Sequence, residues 1–302
     1  MTLVERTIDP TDAGDRQAYL AGLRAGFGPE WGGEDRFDWA FSRTCGGPTA
    51  DLTVLESSTG GQPLAGSAVT YRRLALVQDG EAVLVGIMTG SWTRPEAQGQ
   101  GCFSQVIDWS QRVASARGAS ALLAFVTEAN PSRRRLAAAG ATEVASSYLA
   151  SSPSTPAPDA APAVVMVDDP GPVALAALSA RPGAHRFAYP DVAAWSSQHL
   201  LRPDPVEVVA VAGAMAVVER GAASDRVLHV SEEESADPEG VLGGLLARAV
   251  TAGRQLFCFT TTPAWVTAGT ALGMVAGSGS ICVLPTGAVP GGPWVVHGGD
   301  RM

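Results

Sequence analysis

The chain has 302 residues, 46% of them apolar, which is enough for two hydrophobic cores rather than one. Thirty acidic against 21 basic residues, all of the latter Arg, give a net charge of −9, which argues against nucleic acid as a partner and would tolerate a cationic substrate. Cys45, Cys102, Cys258 and Cys282 form no close-spaced pair and the four histidines are scattered, so neither a zinc site, any other metal site nor a disulfide framework is expected.

In chain order, the pattern predicts a helix over 13–25 with Thr11 or Asp12 as cap, and a second helix over 36–43. Strands come next at 51–57, 64–72, 73–78 and 81–93. A helix at 102–117 carries Phe103, Val106, Ile107, Val113 and Ala114 at a 3.6-residue period and stops at Gly118. A strand at 121–126 and a helix at 131–139, closed by Gly140, complete the first half. Residues 151–163, with four prolines among small residues, read as an extended linker. The second half predicts a strand at 164–167, a helix at 189–200, a hairpin of 206–212 with 214–219, and a strand at 226–231. A helix at 239–252, a strand at 255–260, a helix at 263–272 and a strand at 280–284 complete it. This order repeats the first half, and Asp38-Trp39 before Leu52 is matched by Asp191 and Trp195 before Val208, so a divergent duplication is expected.

The segment with the clearest chemistry is Gln98-Gly99-Gln100-Gly101-Cys102-Phe103-Ser104, between a long strand and an amphipathic helix. A helix N-terminus offers unpaired N–H groups and partial positive charge, and glycines let an anion approach the backbone. No acidic side chain lies between Gln98 and Gln105. The alternative is a Gly-rich turn that merely opens a core helix.

With Thr93-Arg94-Pro95 upstream and Gln98-x-x-Gly101-x-Phe103 in the turn, the chain resembles the Gcn5-related N-acetyltransferase (GNAT) superfamily. Phe103 stands where the family has a small residue. The resemblance covers about 51–145 and the remainder by element order. It implies an α/β (α+β) fold of two tandem GNAT-like domains, each a mixed, mostly antiparallel twisted sheet flanked by helices. Residues 1–150 would be the acyl-coenzyme A-binding catalytic domain, 151–163 the linker and 164–302 a degenerate second domain. The strands 81–93 and 121–126 would splay, with backbone of Trp92 and Thr93 pairing to the pantetheine arm. Gln98, Gly99, Gln100, Gly101, Cys102, Phe103 and Ser104 would hold the pyrophosphate of acetyl-CoA or another acyl-CoA. Arg133-Arg134-Arg135 could reach the 3′-phosphate or simply form a solvated face.

Two departures bear on mechanism. Leu136 falls where the family's proton-donating Tyr belongs, and Ala129 at its Asn position. Glu128, at a strand end beside the gap, is the first general-base candidate, with Asp38 behind it; either can equally be a solvated acid. The tail Trp294-Val-Val-His297-Gly-Gly-Asp300-Arg-Met resembles one in two-domain members that reaches the cleft, which makes His297 and Asp300 candidates too. In the second half the turn position holds Glu232-Glu233-Glu234-Ser235-Ala236-Asp237-Pro238-Glu239, an acidic stretch unsuited to a pyrophosphate.

The expected activity is N-acyl transfer, most simply N-acetyl transfer, to an amine of a small molecule, in specialised-metabolite biosynthesis or self-resistance. A non-catalytic acyl-CoA sensor or scaffold, or altered thioester chemistry on the same fold, is the alternative. The N-terminus lacks a signal-peptide pattern and no apolar run approaches the roughly 18 residues of a membrane span, so a cytoplasmic monomer or homodimer with no membrane partner is expected.

Overall fold

A computed structural model of the chain describes residues 2–77, 81–178, 183–231, 236–287 and 291–301. Strand β1 (Leu3–Ile8), which the hydrophobic pattern does not announce, precedes helix α1 (Ala13–Phe27). Asp12 caps α1 by accepting from the Asp15 N–H at 2.9 Å. The single helix expected over 36–43 is instead α2 (Glu34–Phe37) running into a wider π-type turn, Asp38–Ser42. Strands β2 (Asp51–Ser57), β3 (Ala65–Ala75) and β4 (Ala82–Thr93) form an antiparallel meander. The break expected between Arg72 and Arg73 is absent, because β3 pairs with β4 without interruption from Tyr71 to Ala75.

Helix α3 (Cys102–Ala116), β5 (Ala121–Thr127), α4 (Ser132–Ala138) and β6 (Thr142–Ala150) complete the first half. Val106, Ile107, Trp109 and Ala114 of α3 are buried against β3, β4 and β5, where each fully buried aliphatic side chain contributes about 1.5–3 kcal/mol. The second half contains β7 (Val165–Met166), α5 (Gly171–Leu178), β8 (Arg186–Ala188), α6 (Val192–His199), β9 (Val206–Val211), β10 (Ala214–Arg220) and β11 (Ser224–Val230). It ends with α7 (Pro238–Thr251), β12 (Gln255–Thr260), α8 (Pro263–Ala271) and β13 (Val275–Pro285). None of the helices among the described residues is long and apolar enough to cross a membrane.

The strands join into one sheet in the order β1-β2-β3-β4-β5-β13-β6-β12-β11-β10-β9-β7, with β8 beside β3. That order is a pseudo-twofold palindrome: β4, β5 and β6 of one half match β11, β12 and β13 of the other. The halves interlock at its centre. Strand β13 lies between β5 and β6, and β6 lies between β12 and β13, so each half lends its last strand to the other. Small residues make the exchange possible. Gly279 on β13 passes under Tyr148 of β6, where a Cβ would stand 2.2 Å from the ring.

Two helix-covered cores flank the sheet. Leu122, Ala124 and Val126 face α3 in the first half, and Leu242, Leu245 and Leu246 of α7 pack on β9–β12 in the second. A third cluster on the opposite face gathers Leu123, Tyr148, Phe187, Phe259 and Trp294, and so ties both halves to the C-terminal segment.

Candidate active-site cleft

Parallel strands β4 and β5 pair only where Val85–Ile87 face Ala121–Leu123, and then separate. The cause lies in β4. Its register with β3 shifts between Gly66 and Ala68, and Gly90 at the bulge takes a positive φ of 54°. A bulge bends its strand and re-aims the residues beyond it. The second half repeats the device: β11 and β12 pair from Ser224 to Val227 and from Gln255 to Cys258, and a bulge against β10 falls at Leu228.

A cleft of about 550 Å³ begins in the first opening. Met88–Ser91 of β4, Ala124 and Val126 of β5, Phe103 of α3, and Asn130, Ser132 and Leu136 form that end. The far end is built by the second half and the tail: Arg202, Glu219, Ser224, Arg226, Phe257 and Arg301.

The glycine turn leads into α3, whose Phe103 lines the cleft. Gly99 and Gly101 have φ of 77° and 80°, the left-handed region, and a Cβ on either would meet nothing within 4 Å. The glycines are therefore needed for backbone conformation, and the outer side of the turn is open. The N–H groups of Ser104 and Gln105 both return to the Gly101 carbonyl at 3.1 and 3.3 Å, and the first turn of α3 contains no acid. Gln98 is exposed, and the Gln100 amide donates to the Glu96 carbonyl at 2.8 Å. Cys102 is buried with its thiol 3.6 Å from the Ala97 carbonyl, and burial pushes that thiol up, which suits a packing role.

Trp92 and Thr93 part company. The Trp92 ring is buried beneath α1, where Gly22 and Gly26 of the helix and Gly66 of β3 leave room for it. Arg94 donates its N–H to the Leu64 carbonyl at 2.9 Å. Backbone groups alternate along a strand, so those of Trp92 point to β3 and those of Thr93 point toward the opening.

Glu128 stands at the end of β5 with its side chain in solvent, 3.9 Å from Arg133, and Asn130 and Ser132 line the cleft instead. Arg133 is held by Glu143 at 2.7 Å, while Arg134 and Arg135 are exposed. Asp38 is exposed and paired with Arg16 at 2.6 Å. Leu136 is buried in the cleft wall and brings no hydroxyl there.

The C-terminal segment reaches the cleft lining at Gly298 and Arg301, not at His297 or Asp300. It enters the opening between β11 and β12. A Cβ on Gly298 would lie 2.4 Å from the Val227 carbonyl, and one on Gly299 would lie 2.6 Å from the His199 ring, so the paired glycines permit the approach. The Gln198 amide donates to the Gly299 carbonyl. Asp300, 3% exposed, accepts from the Tyr189 hydroxyl at 2.6 Å and from the His297 N–H at 3.0 Å, and burial pushes its carboxyl up. His297 packs its ring 4.2 Å from that of His229. These two residues therefore anchor the segment, and the side chain that it carries to the cleft is Arg301. Its guanidinium lies over the rings of Tyr148 and Phe259 at 4.7 and 5.0 Å. The segment fills, in the second half, the opening that the first half keeps clear. Of the acidic stretch before α7, residues 232–235 lie outside the described residues.

Glu219 is the one carboxylate among the described residues of the cleft lining. It is 1% exposed and held by Arg202 at 2.6 Å and Arg226 at 3.4 Å. Arg202 also stacks on Trp39, whose other neighbour is the Arg43 guanidinium, at 4.1 and 3.6 Å. No local pattern marks this cluster in the sequence, since its members come from the loop after α6, from β10 and β11, and from the Asp38–Ser42 turn and the residue that follows it.

No protein-family model and no curated protein matches the sequence. Solved structures do match in three dimensions. A tandem GNAT protein from the clavulanic acid biosynthesis pathway, determined without AcCoA, is 14% identical with a TM-score of 0.63 over 96% of this chain and 100% of its own. A GCN5-related N-acetyltransferase from Kribbella flavida is 13% identical with a TM-score of 0.57, over 93% of this chain and 70% of its own. A conserved protein from Enterococcus faecalis V583 is 11% identical, with a TM-score of 0.58 over 94% and 71%. At such identities the likeness establishes the fold: the chain has a tandem GNAT architecture, a mixed and mostly antiparallel sheet flanked by helices.

Proposed function

We propose that the chain is an N-acyltransferase that binds one acyl-CoA, most simply acetyl-CoA, in its first half and acylates an amine of a small molecule. The observation that carries this reading is the conjunction of the open Gly99–Gly101 turn at the start of α3 with the β4–β5 opening and the cleft behind it. The acid-free first turn and the outward side of both glycines fit a pyrophosphate, and Thr93 offers backbone groups to the arm. The bound acyl-CoA supplies an activated thioester carbonyl. Met88, Phe103, Val126 and Leu136 give the carbonyl end an apolar surround that excludes water. The second half does not bind a second molecule, because its own C-terminal segment occupies the corresponding opening.

Proton handling is sparse in this cleft. Glu219 is locked between two guanidinium groups, and Glu128 lies outside the lining. The acceptor therefore enters as the neutral amine and gives its proton to water. A thiol has a pKa near 8.5, so the sulfur leaves without a dedicated acid at position 136. The same leucine favours one other reading, a non-catalytic acyl-CoA sensor. Thiol release from acetyl-CoA across an amine panel, paired with calorimetry of acetyl-CoA binding, separates the two. Binding with release supports transfer, binding without release supports the sensor, and no binding of any acyl-CoA rejects both. Work in specialised-metabolite biosynthesis fits the likeness to the clavulanic-pathway protein.

A further inference from the structure

We propose that the acceptor is an amine that also carries a carboxylate, and that Arg301 binds that carboxylate at the far end of the cleft. This rests on the acyl-transfer reading only in calling the ligand an acceptor; the binding site stands on its own geometry.

Arg301 is a half-buried cation with no carboxylate opposite it among the described residues. Its Nε is buried without a partner. The hydroxyl of Tyr148, the ring on which it rests, is likewise buried without one. Buried polar groups ordinarily find partners, and a guanidinium withdrawn from water without one is costly. The guanidinium carbon rests over the Tyr148 and Phe259 rings while Arg301 also lines the cleft, so a ligand in that space meets this cation. A planar fork of donors matches a carboxylate in two parallel hydrogen bonds.

The side chain is also held in place. The residues before it are fixed by Gln198 at Gly299 and by Tyr189 at Asp300, so the fork is presented by a rigid turn. The surrounding charge has the right sign. The cleft lining holds Arg202, Arg226 and Arg301 against the single carboxylate of Glu219, although the whole chain is acidic. Because Arg202 and Arg226 both turn to Glu219, Arg301 is the cation left for an incoming anion. Phe27, Phe125 and Phe257 line the same space and suit an apolar body between the amine and the carboxylate.

The test uses apolar amino acids and ω-amino acids, each as free acid and as primary amide, in two assays: acetyl-CoA-dependent thiol release, and calorimetric binding without acetyl-CoA. The wild type should prefer acids over amides by at least about 30-fold, and Arg301→Gln should bring that ratio to near one while acetyl-CoA binding stays unchanged. Arg301→Lys should recover part of the preference, which excludes simple misfolding, and a melting curve of each variant checks the fold. Equal use of acid and amide by the wild type, an undiminished preference in Arg301→Gln, or no binding of any acid overturns the proposal. Acid binding that needs Arg301 without thiol release would retain this site and reject the acyl-transfer reading.

Discussion

Tyr148 lays its ring over Gly279, two residues along β13 from its ladder partner Gly277, at a distance that no side chain other than hydrogen tolerates on that glycine. The β5 Val126 carbonyl approaches the same point from the other side, at 2.9 Å from a notional Cβ. Gly279→Ala should therefore cost about 1–3 kcal/mol, the usual cost of overpacking. A urea melt measures it, and Gly277→Ala, where the nearest atom is 3.7 Å away, should cost less.

Gly101 combines a left-handed φ with an open outer side. Gly101→Glu puts a negative charge at the start of α3, where an anion is expected to sit. Loss of an N-terminal anion site of this kind weakens acyl-CoA binding by at least about tenfold, the equivalent of ~1.4 kcal/mol. Calorimetry reads the effect directly, and unchanged affinity would remove the turn from the site.

His199 and His229 are buried, and burial holds both well below the ordinary imidazole value. The unfolded chain binds a proton on each below about pH 6.5, while the folded chain does not, so stability is full above that pH and falls as pH drops. Each contributes a slope of about 1.4 kcal/mol per pH unit. Asp300, raised by burial, acts in the opposite sense and subtracts from the slope at lower pH. Denaturant melts between about pH 7.5 and 5.5, a window spanning the free imidazole value, should show the loss, and His229→Gln should flatten it.

With Glu219 held between Arg202 and Arg226, kcat/KM should rise with unit slope in log form until the acceptor amine's own pKa, and shift when the amine is changed. An inflection near about pH 6–7 that stays fixed across amines would reveal a base in the protein. Glu219→Gln leaves a buried Arg202 without its closest carboxylate and should cost about 3–5 kcal/mol, read by thermal or urea melts.

The legible parts of the fold were those with strong local pattern. Strand β2, helix α3 and strand β5 fall within a residue or so of their sequence periods, because α3 turns one apolar stripe to the core and the two strands are apolar on both faces, each packed on a cluster. Strand β6 was not legible, since Thr142–Ala150 is rich in Ala and Ser and owes its conformation to β12 and β13 on either side. The start of β13, Val-Ala-Gly-Ser-Gly-Ser, fails for the same reason: Gly279 answers to the ring of Tyr148, 131 positions earlier in the chain and invisible to a local window. In the site, the glycine turn is a local motif and could be read. Arg301 could not, because its role depends on rings from β6 and β12. The one clue in the tail was the pair Gly298-Gly299, a demand for close backbone approach, and it marked a docking segment rather than a reacting one.

The exchange of β6 and β13 has a consequence for the birth of the molecule. As the chain leaves the ribosome, β5 waits with an unpaired edge for a strand that lies about 150 residues downstream. Neither half can finish its sheet in isolation, so the exchange makes the two halves obligate partners in folding. Such long-range closure slows folding and leaves strand edges exposed meanwhile. A chain cut within 151–163 should yield two sticky fragments that regain solubility only when mixed.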